Sequence, residues 1–541
     1  MATQDGQHSP GFSSFRGDKK AIARLPSNDS ADSDALRLAA LGYDQSMERK
    51  FSVLSLLGVG FSLTNSWFGL SSALVTGINS GGTALVIYGV ILVACVSSCV
   101  AISLSELASA MPSAGGQCYW AHEFASKKYK NLASYFVGWF SWAGSIFTSA
   151  SVALGLGLAV VGCYQLSHPD YVINTYHVFA AYQCINAVAA IFNCYGKFLP
   201  RIATTFLYIS LISFATILIT ASLSFIPSVT AAHQPASFVF ATFINNTGYS
   251  QNGLAFIVGL IGTNWPFACL DSATHLAEEV PRPERNIPIA ICGTVAIGFT
   301  TAWFFAVAMF FSLYGSIEDL TNTPTSTPIL ALFASALTGR RGQIAGAIVL
   351  ESMILTTGMG CMIASHTWQS RLVWSFARDG GVPGHKYLSH IDRQLDVPLR
   401  AHLVSCGLVA VVGCLYLGSY TAFNSMVTAC IVLLYLSYAV PVGCLVFHYG
   451  RSNLKHGPFW LGKIGLFANI VLLAWTLFTL VMYSFPYTMP VTAGNMNYVS
   501  VVYAVVTFIV VVDWFARGRK AYGMKEMERD ERRASLGDVV R

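Results

Sequence analysis

Long apolar runs alternate with short polar connectors along most of the chain. They lie near 52–77, 84–106, 132–162, 177–195, 202–226, 253–275, 288–314, 342–367, 401–418, 422–447, 464–485 and 498–516. A helix needs about 20 apolar residues to cross a hydrocarbon core about 30 Å thick, so each run predicts one span. The runs are continuous rather than alternating, which excludes the strands of a β-barrel. Backbone groups in lipid must be paired, so each span is helical or shielded by protein. The pattern predicts an all-α membrane protein of about twelve transmembrane helices over residues 51–516. Residues 1–50 read as a disordered cytosolic N-terminal tail and 517–541 as a charged cytosolic C-terminal tail. No cleavable leader is expected; the first apolar block, near Phe51, would serve as an uncleaved anchor.

Composition agrees with lipid as the solvent. The 541 residues are 54% hydrophobic and 11% charged, with a mean hydropathy of +0.55. A soluble domain carries roughly 25% charged residues, too many for this chain to match. The net charge of +6 is a topology signal rather than a nucleic-acid footprint. With both termini placed in the cytosol, seven of the 32 Lys and Arg fall in the N-terminal tail, fifteen in the five loops on that side and eight in the C-terminal tail. Only Arg340 and Arg341 fall outside. The same topology puts the Asn245-Asn246-Thr247 sequon outside and Asn28-Asp29-Ser30 inside, so glycosylation is expected at Asn245 alone. Arg532-Arg533-Ala534-Ser535 has the form of a basophilic kinase site, a common chance match. The thirteen Cys sit mostly in apolar runs and form no CxxC pair or zinc spacing, so they read as small apolar residues.

Two spans concentrate polar and helix-breaking residues. The first contains Gly58-Val59-Gly60-Phe61-Ser62-Leu63-Thr64-Asn65-Ser66-Trp67-Phe68-Gly69, with three consecutive polar residues near its middle. Such residues lower helix propensity and offer partners to freed backbone groups. The sixth contains Leu260-Ile261-Gly262-Thr263-Asn264-Trp265-Pro266-Phe267-Ala268-Cys269. Pro266 has no N–H to donate and crowds the preceding turn, so a break is predicted there. Interruptions five helices apart are the arrangement of inverted five-helix repeats, in which half-helix ends surround a midplane site. Asn65, Ser66, Trp67, Phe68, Gly262, Thr263, Asn264, Trp265 and Phe267 are therefore the candidate lining, with Trp67 and Trp265 expected to face an ammonium through cation–π attraction.

Intramembrane acids are few. Glu106 ends the second span, Asp271 follows the sixth-span break, and Glu351 lies about ten residues, or ~15 Å, into the eighth. A carboxyl at that depth is a functional candidate by default. Glu351 either takes a coupling proton, pairs with a substrate ammonium, or stays protonated against a neighbouring helix. His275, His366 and His402 lie near cytosolic ends and read as interface polar residues before proton relays.

Several motifs resemble the amino acid–polyamine–organocation transporters, and specifically the fungal amino acid/choline permeases. Thr64-Asn65-Ser66-Trp67-Phe68-Gly69 is similar to that group's first-helix signature. Glu106-Leu107, continuing to Pro112 and Gly115-Gly116, resembles the superfamily's cytosolic turn. Asp271 through Ala277-Glu278-Glu279, then Pro283-Glu284-Arg285-Asn286-Ile287-Pro288, and Ser370-Arg371 through Ala377-Arg378-Asp379-Gly380 resemble two further superfamily patterns. His456-Gly457-Pro458-Phe459-Trp460 is similar to a motif of the choline-permease branch. The resemblance spans 51–515 and implies a leucine-transporter-like 5+5 inverted repeat plus two C-terminal helices, alternating access, and coupling to a proton or other ion. Asn65-Ser66 stands where the superfamily has a Gly-rich break, and Glu351 belongs to none of these motifs.

The expected function is secondary transport of a small amine-bearing solute, choline-like or an amino acid. Asp271 or Glu351 would couple. Glu106, Glu278, Glu279, Arg285, Arg371 and Arg378 would gate the cytosolic side. An exporter of a metabolite such as an alkaloid, and a sensor that binds without transporting, remain as alternatives. No P-loop and no nucleophile–base or metal constellation is present, so an ATPase or enzyme is not expected. The implied partners are the solute, a coupling ion and lipid, with no cofactor and no nucleic acid. The plasma membrane is the expected location, with vacuolar or other internal membranes open.

Overall fold

The computed structural model describes residues 30–223, 234–338, 342–522 and 530. Asn28, the Ser535 motif, Arg340 and Arg341 lie outside the described residues. The helices used below are α1 Ser30–Ala40, α2 Val53–Thr64, α3 Ser66–Ser72, α4 Leu74–Ala110, α5 Gln117–Phe124, α6 Lys130–Ser167, α7 Thr175–Asn193 and α8 Leu199–Leu223. There follow α9 Asn252–Asn264, α10 Pro283–Ser312, α11 Pro328–Ala336, α12 Gln343–Arg378, α13 Leu399–Gly418, α14 Tyr420–Cys444, α15 Lys463–Met482 and α16 Val499–Asp513. Extended pairing among the described residues is limited to one isolated bridge between Asp392 and Val397.

Ten helices among the described residues are long and apolar enough to cross a membrane, and the chain is an all-helical integral membrane protein. Two of the twelve expected spans are not among the ten. The fourth is α7, 19 residues that include Gln183, Asn186 and Asn193. The sixth is cut short, because α9 has only 13 residues and ends at Asn264. Burial separates an inner set of helices from a periphery. Of the most apolar stretch of Val53–Ser72, 83% is buried, against 22% for Gly196–Ala221 and 17% for Val499–Tyr522. α2 packs against α8 and α10, α4 runs along α9 and α10, and α6 lies between α12 and α14. Small residues allow these approaches: a Cβ on Gly58 would lie 2.6 Å from the Ala203 carbonyl oxygen of α8.

The described part of the N-terminal tail differs from the disordered segment its polarity predicts. Residues 30–40 are helical, and Leu38, Tyr43, Met47 and Phe51 are buried. Arg49 pairs with Asp34 at 2.9 Å, and Asp34 also accepts the Arg282 N–H at 2.8 Å. Apolar positions spaced among charges let the segment lie across the end of the bundle. At the other terminus the boundary drawn at 516 falls inside continuous helix. Arg517 bonds Asp513 and the carbonyls of Gly380 and Gly381, and Tyr522 is buried.

Replacing Gly58 with Val forces α2 away from the Ala203 carbonyl. Overpacking of this kind costs about 1–3 kcal/mol, so the unfolding temperature of detergent-purified Gly58→Val should fall below that of the wild-type protein.

Candidate functional site: a cavity between two broken helices

Both predicted breaks are present. α2 stops at Asn65, whose left-handed backbone (φ 31°, ψ 66°) turns the chain into α3. Asn tolerates this region better than most residues. α9 ends at Asn264 and passes through a short 3₁₀ turn, Trp265–Phe267, before Ala268 becomes extended and Cys269 adopts φ 64°. The two breaks meet directly. Ser66 Oγ donates to the Pro266 carbonyl at 2.9 Å. Gly69 lies flat under the Trp265 ring, where a Cβ would approach a ring carbon to 2.9 Å. Cys361 of α12 donates to the Leu63 carbonyl at 3.0 Å.

A cavity of ≈ 330 Å³ lies beside this junction, within the usual range of small-molecule sites. Of the nine candidate lining residues, Phe68, Gly262 and Trp265 border it. The other six pack into its frame. Trp67, adjacent to Phe68, points the other way: it is fully buried, donates its indole N–H to Ser210 at 3.0 Å and tilts against Phe214 and Phe305. Neighbours on a helix lie about 100° apart, so one of these two rings faces the cavity and the other faces α8. Asn65 also bonds Ser210, at 3.2 Å. Thr263 donates back to Leu260 at 3.1 Å. Asn264 is held at 2.9 Å by the hydroxyls of both Tyr435 and Tyr483. Phe267 is buried near Gly298.

The remaining wall comes from unbroken helices. Ser151 of α6 lines the cavity and accepts the Trp265 indole N–H at 3.2 Å. Tyr420, Asn424 and Thr428 from α14 line it together with Tyr487, whose hydroxyl bonds that of Thr428. Asn424 and Thr428 are polar residues one turn apart in an apolar span, the signal that would have pointed to them. No Lys, Arg, Asp or Glu lines the cavity among the described residues. Thr247 and Thr488 place one end of the cavity at the connectors that carry Asn245. Asn245 itself is partly buried, its side-chain oxygen accepting the Thr247 hydroxyl at 2.6 Å.

The expected acids divide between two places. Glu351 is 1% exposed, has no ion-pair partner among the described residues, and borders a small pocket that shares Phe68, Ser72, Gly155 and Leu158 with the main cavity. The other acids lie toward the opposite face, which ion pairs close. Glu279 accepts from Arg371 Nε at 2.8 Å and pairs with Lys50 at 3.1 Å. Lys50 also reaches Asp396 at 2.5 Å. Glu278 pairs with Arg378 at 2.9 Å, and the Arg378 guanidinium lies 4.1 Å over the Tyr43 ring. Glu106 pairs with Arg451 at 2.8 Å and accepts the Leu461 N–H, while Arg451 stacks 4.3 Å over Trp460. The segment around Gly457 thus docks on the 106–109 turn, where Ser109 accepts the Phe459 N–H at 3.0 Å. Arg285, expected in this network, is exposed and forms no ion pair among the described residues. Lys50 and Tyr43, from the tail read as disordered, take part instead.

Among the described residues, one trio of His and Cys comes close enough to bracket an ion: His366, His402 and Cys406. Cys406 Sγ lies 3.5 and 3.9 Å from the two nitrogens of His366, and 3.5 and 3.8 Å from those of His402. Near-equal distances put the sulfur beside each ring rather than along a nitrogen lone pair, so the trio packs without the geometry of ligation.

The profile of the amino acid permease family matches residues 51–509. The chain belongs to that family, whose members are transporters rather than enzymes, and it is a secondary transporter of small organic solutes. It is 48% identical to the choline transporter of Saccharomyces cerevisiae over 92% of this chain and 87% of that one. It is 36% identical to the 7-keto 8-aminopelargonic acid transporter of the same yeast, over 86% and 91%. It is 37% identical to the swainsonine transporter of Arthroderma benhamiae, over 89% and 93%.

Burial works against the charge on Glu279, but Arg371 and Lys50 outweigh it and hold this carboxyl below the ordinary range. A lowered value in the folded state stabilises the fold above the unfolded value of about 4.3 and is lost as pH falls below it. Acidifying from about pH 5 to 3 should therefore lower the wild-type unfolding temperature more than that of Glu279→Gln. At neutral pH, Arg371→Ala leaves the buried Glu279 carboxylate with Lys50 alone, and a loss of up to about 3–5 kcal/mol is expected.

Proposed function

We propose that this protein carries choline or a closely related small ammonium across the plasma membrane, drawn by an ion gradient. The observation that carries the reading is the pairing of Phe68 and Trp265, one from each broken helix, on the wall of one cavity that no basic side chain lines among the described residues. A quaternary ammonium has no N–H to donate, so ring faces suit it better than carbonyls do, at about 0.5–2 kcal/mol per ring. Tyr420 and Tyr487 add rings to the same wall. The 48% identity to a choline transporter points the same way.

In this reading Glu351 is the counter-charge. It has no cationic partner among the described residues, and it borders a pocket that shares Phe68 with the cavity. An arriving ammonium supplies the missing charge. The ten membrane helices, α7 and the interrupted sixth span together make twelve, in a 5+5 inverted repeat plus two, with both termini cytosolic. The cavity end at Thr247 then faces outside, Asn245 carries any glycan there, and the ion pairs around Glu279 form the inner gate. Outward opening with the inner side closed is one state of an alternating-access cycle.

The test is radiolabelled choline uptake in a permease-deficient yeast, with γ-aminobutyrate, basic amino acids and alkaloids as competitors. Phe68→Ala and Trp265→Ala should each weaken apparent affinity by about tenfold, or ~1.4 kcal/mol. Trp67→Ala should lower stability with a smaller effect on affinity. Glu351→Gln should weaken choline but spare 3,3-dimethyl-1-butanol, its uncharged isostere, as a competitor. Uptake indifferent to every quaternary ammonium rejects the reading, and binding without flux points to a sensor. Similarity to the swainsonine transporter favours alkaloid export as a second reading, which inside-out vesicles test directly.

A further inference from the structure

We propose that Asp271 and His275 form a proton-binding site that holds one proton between two buried side chains. The hydrogen-bond partners require it. His275 Nδ1 lies 2.8 Å from the Ala114 carbonyl oxygen, which accepts only, so Nδ1 carries a hydrogen. Nε2 lies 3.1 Å from Asp271 Oδ2. A bare Nε2 facing an ionised carboxylate would set lone pair against lone pair. One further proton must lie there, either on Nε2 as imidazolium beside carboxylate or on Oδ2 as carboxylic acid beside imidazole. Both descriptions have the same composition and zero net charge.

The surroundings favour keeping that proton while the site is closed. Both side chains are fully buried. No Lys or Arg pairs with Asp271 among the described residues, so losing the proton leaves one buried, uncompensated negative charge, an expensive state. The remaining contacts on Asp271 are neutral donors: Tyr438 Oη to Oδ1 at 2.6 Å and Gln117 Nε2 to Oδ2 at 2.8 Å. The titratable groups facing the pair are Cys118 on α5, Cys269 on its own segment and Tyr438 on α14, with Tyr435 beside Tyr438. Glu278, Glu279, Arg371 and Arg378 satisfy one another farther along. Gly115-Gly116 gives the imidazole room, since a Cβ on Gly116 would sit 3.2 Å from His275 Cε1.

The site is wired to the cavity. Tyr438 holds Asp271, and Tyr435, about one turn earlier on α14, holds Asn264 at the end of α9. The next residue, Trp265, lines the cavity, as does Thr428 of α14. A shift of α14 relative to the break therefore changes the contacts of both. When the inner face opens, entering water takes the proton as hydronium. Asp271 is left as a carboxylate still bonded by Tyr438 and Gln117, and His275 is neutral. The binding step needs no solute, but its use in coupling rests on the transport reading above.

Difference infrared spectroscopy of the purified full-length protein, titrated without solute, tests the site. The wild-type protein should show linked carboxyl and histidine changes as one proton leaves, and Asp271→Asn and His275→Gln should both lose them. Tyr438→Phe keeps the ring but removes a donor to the anion, so the transition should move to higher pH. Identical titrations in the wild-type protein and both pair variants, or no shift in Tyr438→Phe, overturn the proposal. In proteoliposomes, His275→Gln should lose accumulation driven by a pH gradient; accumulation equal to wild type also overturns it. A wild-type protein that titrates as expected but moves no solute supports the proton site and rejects the transport reading.

Discussion

A carbonyl freed from its helix inside a membrane has no water to turn to, and the functional core depends on how this chain answers that constraint. Breaking two helices inside the bundle releases backbone acceptors where each unpaired group costs several kcal/mol. The answer comes from side chains on neighbouring segments. The first break spends its serine on the second, through Ser66 and the Pro266 carbonyl, while Cys361 covers Leu63. Because the freed carbonyls find donors on other segments, the breaks persist without relaxing into continuous helix. The gap they hold open is bordered by one ring from each, Phe68 and Trp265.

Electrostatics then divides the molecule by depth. The cavity wall is aromatic and hydroxylic, without formal charge among the described residues. The opposite face holds Glu279, Arg371, Lys50, Asp396, Glu278 and Arg378 in linked pairs. Buried pairs of this kind gain little net stability over apolar packing, yet losing one partner is severe. Lys50 and Tyr43 tie the N-terminal segment into the same network, so its order follows from these pairs rather than from its own composition.

The sequence carried the architecture because its signals are one-dimensional. Span length, the consecutive polar residues at Thr64-Asn65-Ser66 and the proline at 266 act on the local backbone, and the helices break there. The direction in which a side chain points is set by what packs beside it. Trp67 and Phe68 are equally aromatic, and only the position of α8, with Ser210 waiting for an indole N–H, sends one inward and the other to the cavity. Arg285 sits in a motif whose Glu278 and Glu279 form ion pairs, but it lies on the exposed side of its turn. The tail of residues 30–50 is polar overall, and its few apolar anchors become legible only once the bundle end they cover is known.

His275 draws these levels together. In sequence it is one histidine near a span end, with nothing to separate it from His366 or His402. What distinguishes it is that both of its nitrogens face acceptors, whereas the sulfur of Cys406 sits beside the rings of the other two. The acceptors come from opposite constraints. Ala114 belongs to a glycine-containing turn that must pass close to the ring, and Asp271 follows the break that builds the cavity. Helix interruption therefore does two things at once. It opens a cavity on one side, and on the other it removes a carboxylate from water, so that the Asp271–His275 pair keeps its proton unless the structure moves.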